Sequence, residues 1–545
     1  MIILASCVEN SPGDGQGDIE IQKIVPQSVG NRIDILFVID NTSSMLNEPI
    51  LAPTGSIDID NIRLYSGELP DVHIGVVSTD LGVGSNHILG CTEYGDDGRL
   101  KNEDCLINEG GDYLINVEPL GCEIDKEMSN GYLVECTSHS CSQQNCEFEP
   151  NTTLHEDEYG CPRCHNYISS TYFEETIICM TNLGVSGCEY PQPLEAMYKA
   201  LKEHSVGNLF LREDAFLAVI FISDSDDCST SDTILFNGDS QMLEYLGPLT
   251  EYRCFEFGVT CEINDRNHVG LRQSCAPRTD DGALLHPVER YVEFLRETKS
   301  AQLLAVFGIS GPVDNNSVTV TTDEQGNPNV QNSCEVYDSS ARPGIRLKAV
   351  IEQLAEEQHL ETMYRSVCVP DMSEIYYIIE RRMLYSCLEK PIKGCADVGV
   401  EYDSPQSSQT CEINSRCLPQ CVVFDIFMEG TDSEQWEEVP HCLEIMSDGG
   451  LEAENTDRTL AYAEGRPTER DAGLPVKSCW YIGYNPACSD SNYSEIVIAR
   501  REDPPSRTFS EVTCMALPHN EESCNDGVDN DEDCEMDEED SDCMH

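Results

Sequence analysis

Three stretches of the chain carry residue types at spacings that do chemistry. The first is Asp40-Asn41-Thr42-Ser43-Ser44, an aspartate ending an apolar run, with hydroxyls two and four positions later. Another aspartate, Asp224, ends the run Phe216–Ser223 and is followed by Ser225, Asp226 and Asp227. Carboxylate and hydroxyl oxygens suit a hard divalent cation, and neither run offers His or Cys for zinc. The same residues also read as a helix cap, with Thr42 or Ser43 capping and Asp40 a solvated turn residue. The second stretch is the acidic tail, where Asp529, Asp531 and Asp533 alternate and Asp537 follows. Alternate carboxylates on a tight loop converge on one Ca²⁺, although Cys534 stands where the loop glycine would normally follow. A solvated acidic tail stapled by disulfides is the alternative. The third is Cys161-Pro162-Arg163-Cys164-His165, the CxxCH string of haem attachment. Among so many neighbouring cysteines the string also arises by chance, and disulfide membership is the plainer reading.

Other chemistries are excluded by what the chain lacks. There is no GxxxxGKS or GxxxxGKT, no HExxH and no GxSxG, so the reading is a protein that is not an enzyme. With 33 Lys and Arg against 100 Asp and Glu, the formal net charge is −67. That charge repels a phosphate backbone and an anionic membrane surface. No apolar run approaches the ~20 residues of a spanning helix.

The 29 cysteines decide the compartment. A reducing compartment gives so many thiols no role, and only one CxxC is present for zinc, so disulfides in an oxidising compartment are expected. The odd count asks for one cysteine with a separate fate. Leu4-Ala5-Ser6-Cys7 resembles the lipobox of bacterial lipoproteins, which implies lipidation at Cys7 and anchoring of the chain to a membrane without a transmembrane helix. The polar, Gly-rich stretch Ser11–Asp18 behind it reads as a flexible tether.

Positioning these residues falls to a chain of 545 residues, enough for two to four domains. Four apolar runs, Ile33–Ile39, His73–Ser78, Phe216–Ile222 and Leu303–Ile309, predict strands buried on both faces of a parallel sheet. Helical patterns follow at Pro193–His204, Pro287–Lys299, Arg346–Gln358 and Met372–Leu388. The alternation predicts a doubly wound, Rossmann-like α/β domain over 30–390. Residues 89–188, with ten cysteines and little periodicity, read as a disulfide-stapled insertion on the rim of its sheet. Residues 1–29 read as leader, lipobox and tether, 395–520 as a small disulfide-rich β domain, and 521–545 as the acidic tail.

Asp40, Thr42 and Ser44 resemble the DxSxS element of von Willebrand factor A (VWA) domains, with Thr42 in place of its first serine. Asp224 is similar to that family's second aspartate, after a later central strand. The resemblance implies a metal-ion-dependent adhesion site in which Asp40, Thr42, Ser44 and Asp224 hold Mg²⁺ or Mn²⁺. An open coordination position would then take a carboxylate from a protein or surface partner. The family's third ligand position falls on Pro191, which cannot coordinate, and Glu189 is the residue able to reach in instead.

Further segments resemble VWA-containing, cysteine-rich surface lipoproteins of myxobacterial type. These are Asp34–Asp40, His73–Asp80, Gln192–Ala196, Pro287–Leu295 and Cys479-Trp480 with Cys488. The tail resembles a short Asp-rich metal-binding repeat of similar surface proteins. Together they imply an adhesive lipoprotein of the cell surface or outer membrane. The rival readings are a structural envelope protein whose metal site has decayed, and an extracytoplasmic redox or metal-handling protein using Cys161, Cys164, His165 and the tail.

Overall fold

In a computed structural model of the chain, the described residues are 19–26, 32–47, 69–101, 105, 111–129, 132–167, 173–202, 210–212, 215–337, 339–356, 360–369 and 372–383. Five further segments, 421–427, 435–440, 479–484, 494–499 and 508–516, complete them. The chain divides into two compact units, one formed by residues 28–384 and the other by 1–27 with 385–545.

The larger unit is a mixed α/β structure on an eight-stranded sheet. Its strands are β1 Arg32–Ile39, β2 Asp71–Ser78, β3 Leu114–Val117, β4 Thr153–Glu156, β5 Pro162–His165, β6 Phe216–Ile222, β7 Leu304–Ser310 and β8 Glu361–Ser366. They lie in the order β8-β7-β6-β1-β2-β3-β5-β4. The first five run parallel, and β3, β5 and β4 add antiparallel pairs beyond β2. The central runs are strands because Val, Ile, Leu and Phe occupy both faces of the pleat, and every residue of β6 and β7 is buried.

Both faces are covered. On one, Ile33, Ile35, Phe37 and Ile39 pack with α1 (Phe173–Thr181) and α5 (Ser373–Met383). On the other, Leu36, Val38, Leu217 and Val219 pack with α2 (Pro193–Lys202), α3 (Glu289–Thr298) and α4 (Ile345–Leu354). Four of these helices fall on the patterns read from the sequence.

All ten cysteines of the insertion pair with one another: Cys91–Cys188, Cys105–Cys179, Cys122–Cys141, Cys136–Cys161 and Cys146–Cys164. The insertion is more than a rim decoration, since β3, β5 and β4 extend the main sheet itself. Cys228–Cys254, Cys261–Cys275 and Cys334–Cys368 staple the rest of this unit. So dense a set of disulfides fits an oxidising, extracytoplasmic compartment. No helix among the described residues is long and apolar enough to cross a membrane.

The smaller unit holds a four-stranded antiparallel sheet of Ile19–Pro26, Thr508–Ala516, Cys421–Phe427 and Gln435–Val439, in that order. Cys421 and Cys514 face each other in register and are bonded. A hairpin pair, Cys479–Tyr484 with Ser494–Ala499, contributes Trp480 and Ile496 to a core with Val423 and Val512. The segment 1–29 is therefore not tether throughout, because residues 19–26 form an edge strand of this sheet. The expected lipidation residue Cys7 and the tail lie outside the described residues.

Candidate functional site

Chain order in the parallel sheet reverses between β1 and β6: the chain leaves β1 for β2 on one side and returns to β6 on the other. Ligands of open α/β sheets bind outside the carboxyl ends of strands at such a crevice. Asp40 follows β1 and Asp224 follows β6, so both aspartates stand there. The backbone ties them in, with Asp40 N donating to Ile222 O at 2.8 Å and Ser223 N to Ile309 O at 3.0 Å.

Asp40 is fully buried and its oxygens are spoken for. Oδ1 accepts from Thr42 N at 2.9 Å and lies 3.5 Å from the Thr79 hydroxyl, while Oδ2 accepts from Ser223 Oγ at 2.6 Å. Burial, with the Asp224 charge beside it, pushes its pKa from 3.8 to about 7. The Thr42 and Ser44 hydroxyls bond to each other at 3.0 Å. Ser43 and Ser44 open a short 3₁₀ turn, Ser43–Asn47, and are exposed, as is Leu46 at 69%.

Glu189 Oε1 accepts from Ser43 N at 3.2 Å. Its neighbour Cys188 is bonded to Cys91 and donates its N–H to Asp80 Oδ2 at 3.2 Å, which fixes the loop. Pro191 contributes only its carbonyl, accepting from Cys228 N at 2.8 Å.

Arg342 stands beside the site. Arg342 donates its backbone N–H to Asp224 O at 2.8 Å and its side chain pairs with Glu251. Burial lowers its pKa, against the opposing pull of Asp224, Glu189 and Asp40. Asp226 and Asp227 are engaged by Arg346. Asp226 accepts from Arg346 N at 2.9 Å at the start of α4, and burial raises its pKa to about 7. Asp227 Oδ2 accepts from Arg346 Nε at 3.0 Å. A cavity of about 40 Å³ beside the site, lined by Pro191, Ser225, Glu251, Phe255 and Arg342 among others, has room for about one water.

The geometry corrects the metal expectation. Among the described residues no group of three or more His, Cys, Asp or Glu side chains comes together to hold a metal ion. At Asp40 the physical reason is visible: its two oxygens already accept from Thr42 N, the Thr79 hydroxyl and Ser223 Oγ. Mg²⁺ or Mn²⁺ at this site is therefore withdrawn, although Asp40, Thr42, Ser44, Glu189 and Asp224 do cluster. The expected Ca²⁺ residues Asp529, Asp531, Asp533 and Asp537 lie outside the described residues. For the CxxCH string the plainer reading, disulfide membership, is the one the structure shows. Cys161 is bonded to Cys136 and Cys164 to Cys146, so no thiol remains for a thioether. His165 is buried, with its ring stacked between His155 at 4.2 Å and Tyr167 at 3.9 Å.

Ser223, Thr79 and Arg342 were not singled out by the sequence. Ser223 stands next to Asp224 and was open to notice; Arg342 sits in a loop with no pattern to mark it. Compared with known protein families and curated proteins, the chain matches none.

Proposed function

We propose that the chain is an extracytoplasmic binding protein of VWA type, doubly wound, which docks a protein partner at the carboxyl edge of its parallel sheet without a bound cation. The observation that carries this reading is the joining of Asp40, Glu189, Asp224 and Arg342 at the β1/β6 crevice, beneath exposed Ser43, Ser44 and Leu46. A pocket of about 40 Å³ suits no drug-sized ligand, whereas an exposed Leu46 close in sequence to exposed Ser43 and Ser44 suits a protein surface. Carboxylates outnumber the single guanidinium, so the favoured partner presents an amine or guanidinium rather than a carboxylate. The disulfides and the lipobox-like Cys7 support a place at the cell surface or outer membrane.

Display of the full, oxidised chain on a non-adherent host tests this. The displaying cells are expected to attach to cells or surfaces, and Glu189→Lys to reduce attachment at least about tenfold by reversing one charge at the edge. Attachment unaffected by Glu189→Lys and by Leu46→Ala would move recognition elsewhere. No attachment by the parent chain would favour the structural envelope reading.

A further inference from the structure

Near the amino ends of β1 and β2, far along the strands from Asp40, Asp34 and His73 sit side by side in register. Both are fully buried. His73 Nδ1 lies 2.9 Å from Phe210 O, and a carbonyl can only accept, so Nδ1 carries a hydrogen. On the other side of the ring, Nε2 lies 3.3 Å from Glu149 Oε1. Glu149 belongs to the insertion, in the turn between the Cys146–Cys164 disulfide and β4, and its side chain is only 9% exposed. Neither His73 Nε2 nor Glu149 Oε2 has another hydrogen-bond partner, and the nearby Tyr113 hydroxyl has none either.

This arrangement has a proton requirement. With Nδ1–H committed to Phe210, a neutral His73 turns the bare lone pair of Nε2 toward a carboxylate oxygen, away from water. Two acceptors facing each other in a dry site repel. One proton on Nε2 turns the same contact into an imidazolium–carboxylate pair. The surroundings agree on balance. Asp34 Oδ1, 3.7 Å from Nδ1, favours the imidazolium. Arg212 opposes it, but its N–H and Nε are held by Asp34 at 2.7 and 2.8 Å. Behind it the Lys299 ammonium is turned to the carbonyls of Arg212 and Ala215. The Tyr113 ring, 5.1 Å from His73, is kept neutral by burial and by the charges of Glu149 and Asp34, with Asp112 adding to them.

We propose that His73 and Glu149 form a proton-held latch between the sheet and the cysteine-rich insertion. Below the latch's midpoint, imidazolium and carboxylate hold the 147–152 turn against β2. When the Nε2 proton is lost to solvent base, the pair becomes repulsive and the turn opens. Cys146–Cys164 confines the opening to that turn, since β5 stays bonded behind it. Outside the cytoplasm, where pH follows the surroundings, the turn would report alkalinity.

The test uses the whole oxidised protein with ¹⁵N-labelled histidine, read by NMR alongside amide exchange of residues 147–152. The His73 Nε2 resonance is expected to be that of an imidazolium near pH 6. It should lose its proton with the same midpoint at which exchange of the turn rises at least about tenfold above its intrinsic pH dependence. Glu149→Gln should lower that midpoint and leave exchange of the turn flat with pH, with the disulfide map unchanged to show that the variant folds. A His73 that stays neutral from about pH 5 to 9 would overturn the proposal, as would a turn whose corrected exchange ignores pH.

Discussion

Ser223 Oγ donates a 2.6 Å hydrogen bond to Asp40 Oδ2, tying the carboxyl ends of β1 and β6 together across the crevice. The same Oγ lies 2.9 Å from Ser225 O, so the hydroxyl has a second acceptor within reach. The sheet thus closes on a buried acid rather than leaving it open to a ligand ion.

Asp40→Asn is expected to stabilise the protein. An acid whose pKa rises from 3.8 to about 7 on folding holds more protons folded than unfolded within that window. Stability therefore falls as pH rises through the window and is level above it. The variant should gain roughly 1–3 kcal/mol at pH 8 in urea titration, and the gain should vanish below about pH 4. A loss at pH 8 would show that Asp40 has a stabilising charge partner.

The pair Asp227–Arg346 should behave in the opposite way. Both side chains are buried, and Asp227 Oδ1 also accepts from Leu194 N at 3.2 Å at the start of α2. Asp227→Ala strands a buried guanidinium and an N–H, and should cost about 3–5 kcal/mol. Denaturant midpoints of Asp227→Ala and of the double variant with Arg346→Met measure it; the double variant should recover part of the loss.

His165 makes the insertion acid-sensitive. Burial lowers its pKa from 6.5 to about 3, with the neighbouring His155 charge adding to the effect. A base of lowered pKa takes its proton more readily when unfolded, so stability falls as pH drops from 6.5 toward 3 and is unaffected above. The slope is at most about 1.4 kcal/mol per pH unit. His165→Phe keeps a ring in the stack and should flatten that limb in amide exchange of β5.

Cys91–Cys188 holds the loop that carries Glu189. Replacing both cysteines by serine should cost about 2–4 kcal/mol. It should also weaken attachment in the display assay, because Glu189 loses its fixed neighbour. Mass spectrometry without reduction should meanwhile find every cysteine of 89–188 oxidised in the parent chain.

Leu46→Ala separates binding from folding. The side chain is 69% exposed, so stability should stay within about 0.5 kcal/mol while attachment falls. Equal attachment would remove Leu46 from the docking edge.

What the sequence made legible follows from burial. β1, β2, β6 and β7 are covered on both faces, so they appear as unbroken apolar runs. β8, Glu-Thr-Met-Tyr-Arg-Ser, is an edge strand with mixed polarity and gives no such run. β3, β4 and β5 have four residues each, too short for a period to show. In the site, Asp40, Thr42, Ser44 and Asp224 were legible because strand ends mark them. Arg342 was not, because its role comes from what the fold brings beside it. The oxygen-rich string suggested a cation from outside for the same reason: spacing shows donors but not where their lone pairs are spent.

The pairing of Ile19–Pro26 with Thr508–Ala516 bears on how the protein is made. An early strand must wait for the last one, since Ile19 meets Ala516 and Pro26 meets Phe509. At ~5–20 residues per second, roughly 25–100 s of synthesis separates the two strands. The α/β unit can be complete within that interval, but the smaller sheet cannot close. The early segment thus spends that time with an unpaired edge, in need of protection from other chains. Chains truncated before residue 508 and folded under oxidising conditions should therefore bury the α/β core while leaving 19–26 open to protease, and the full chain should protect that segment.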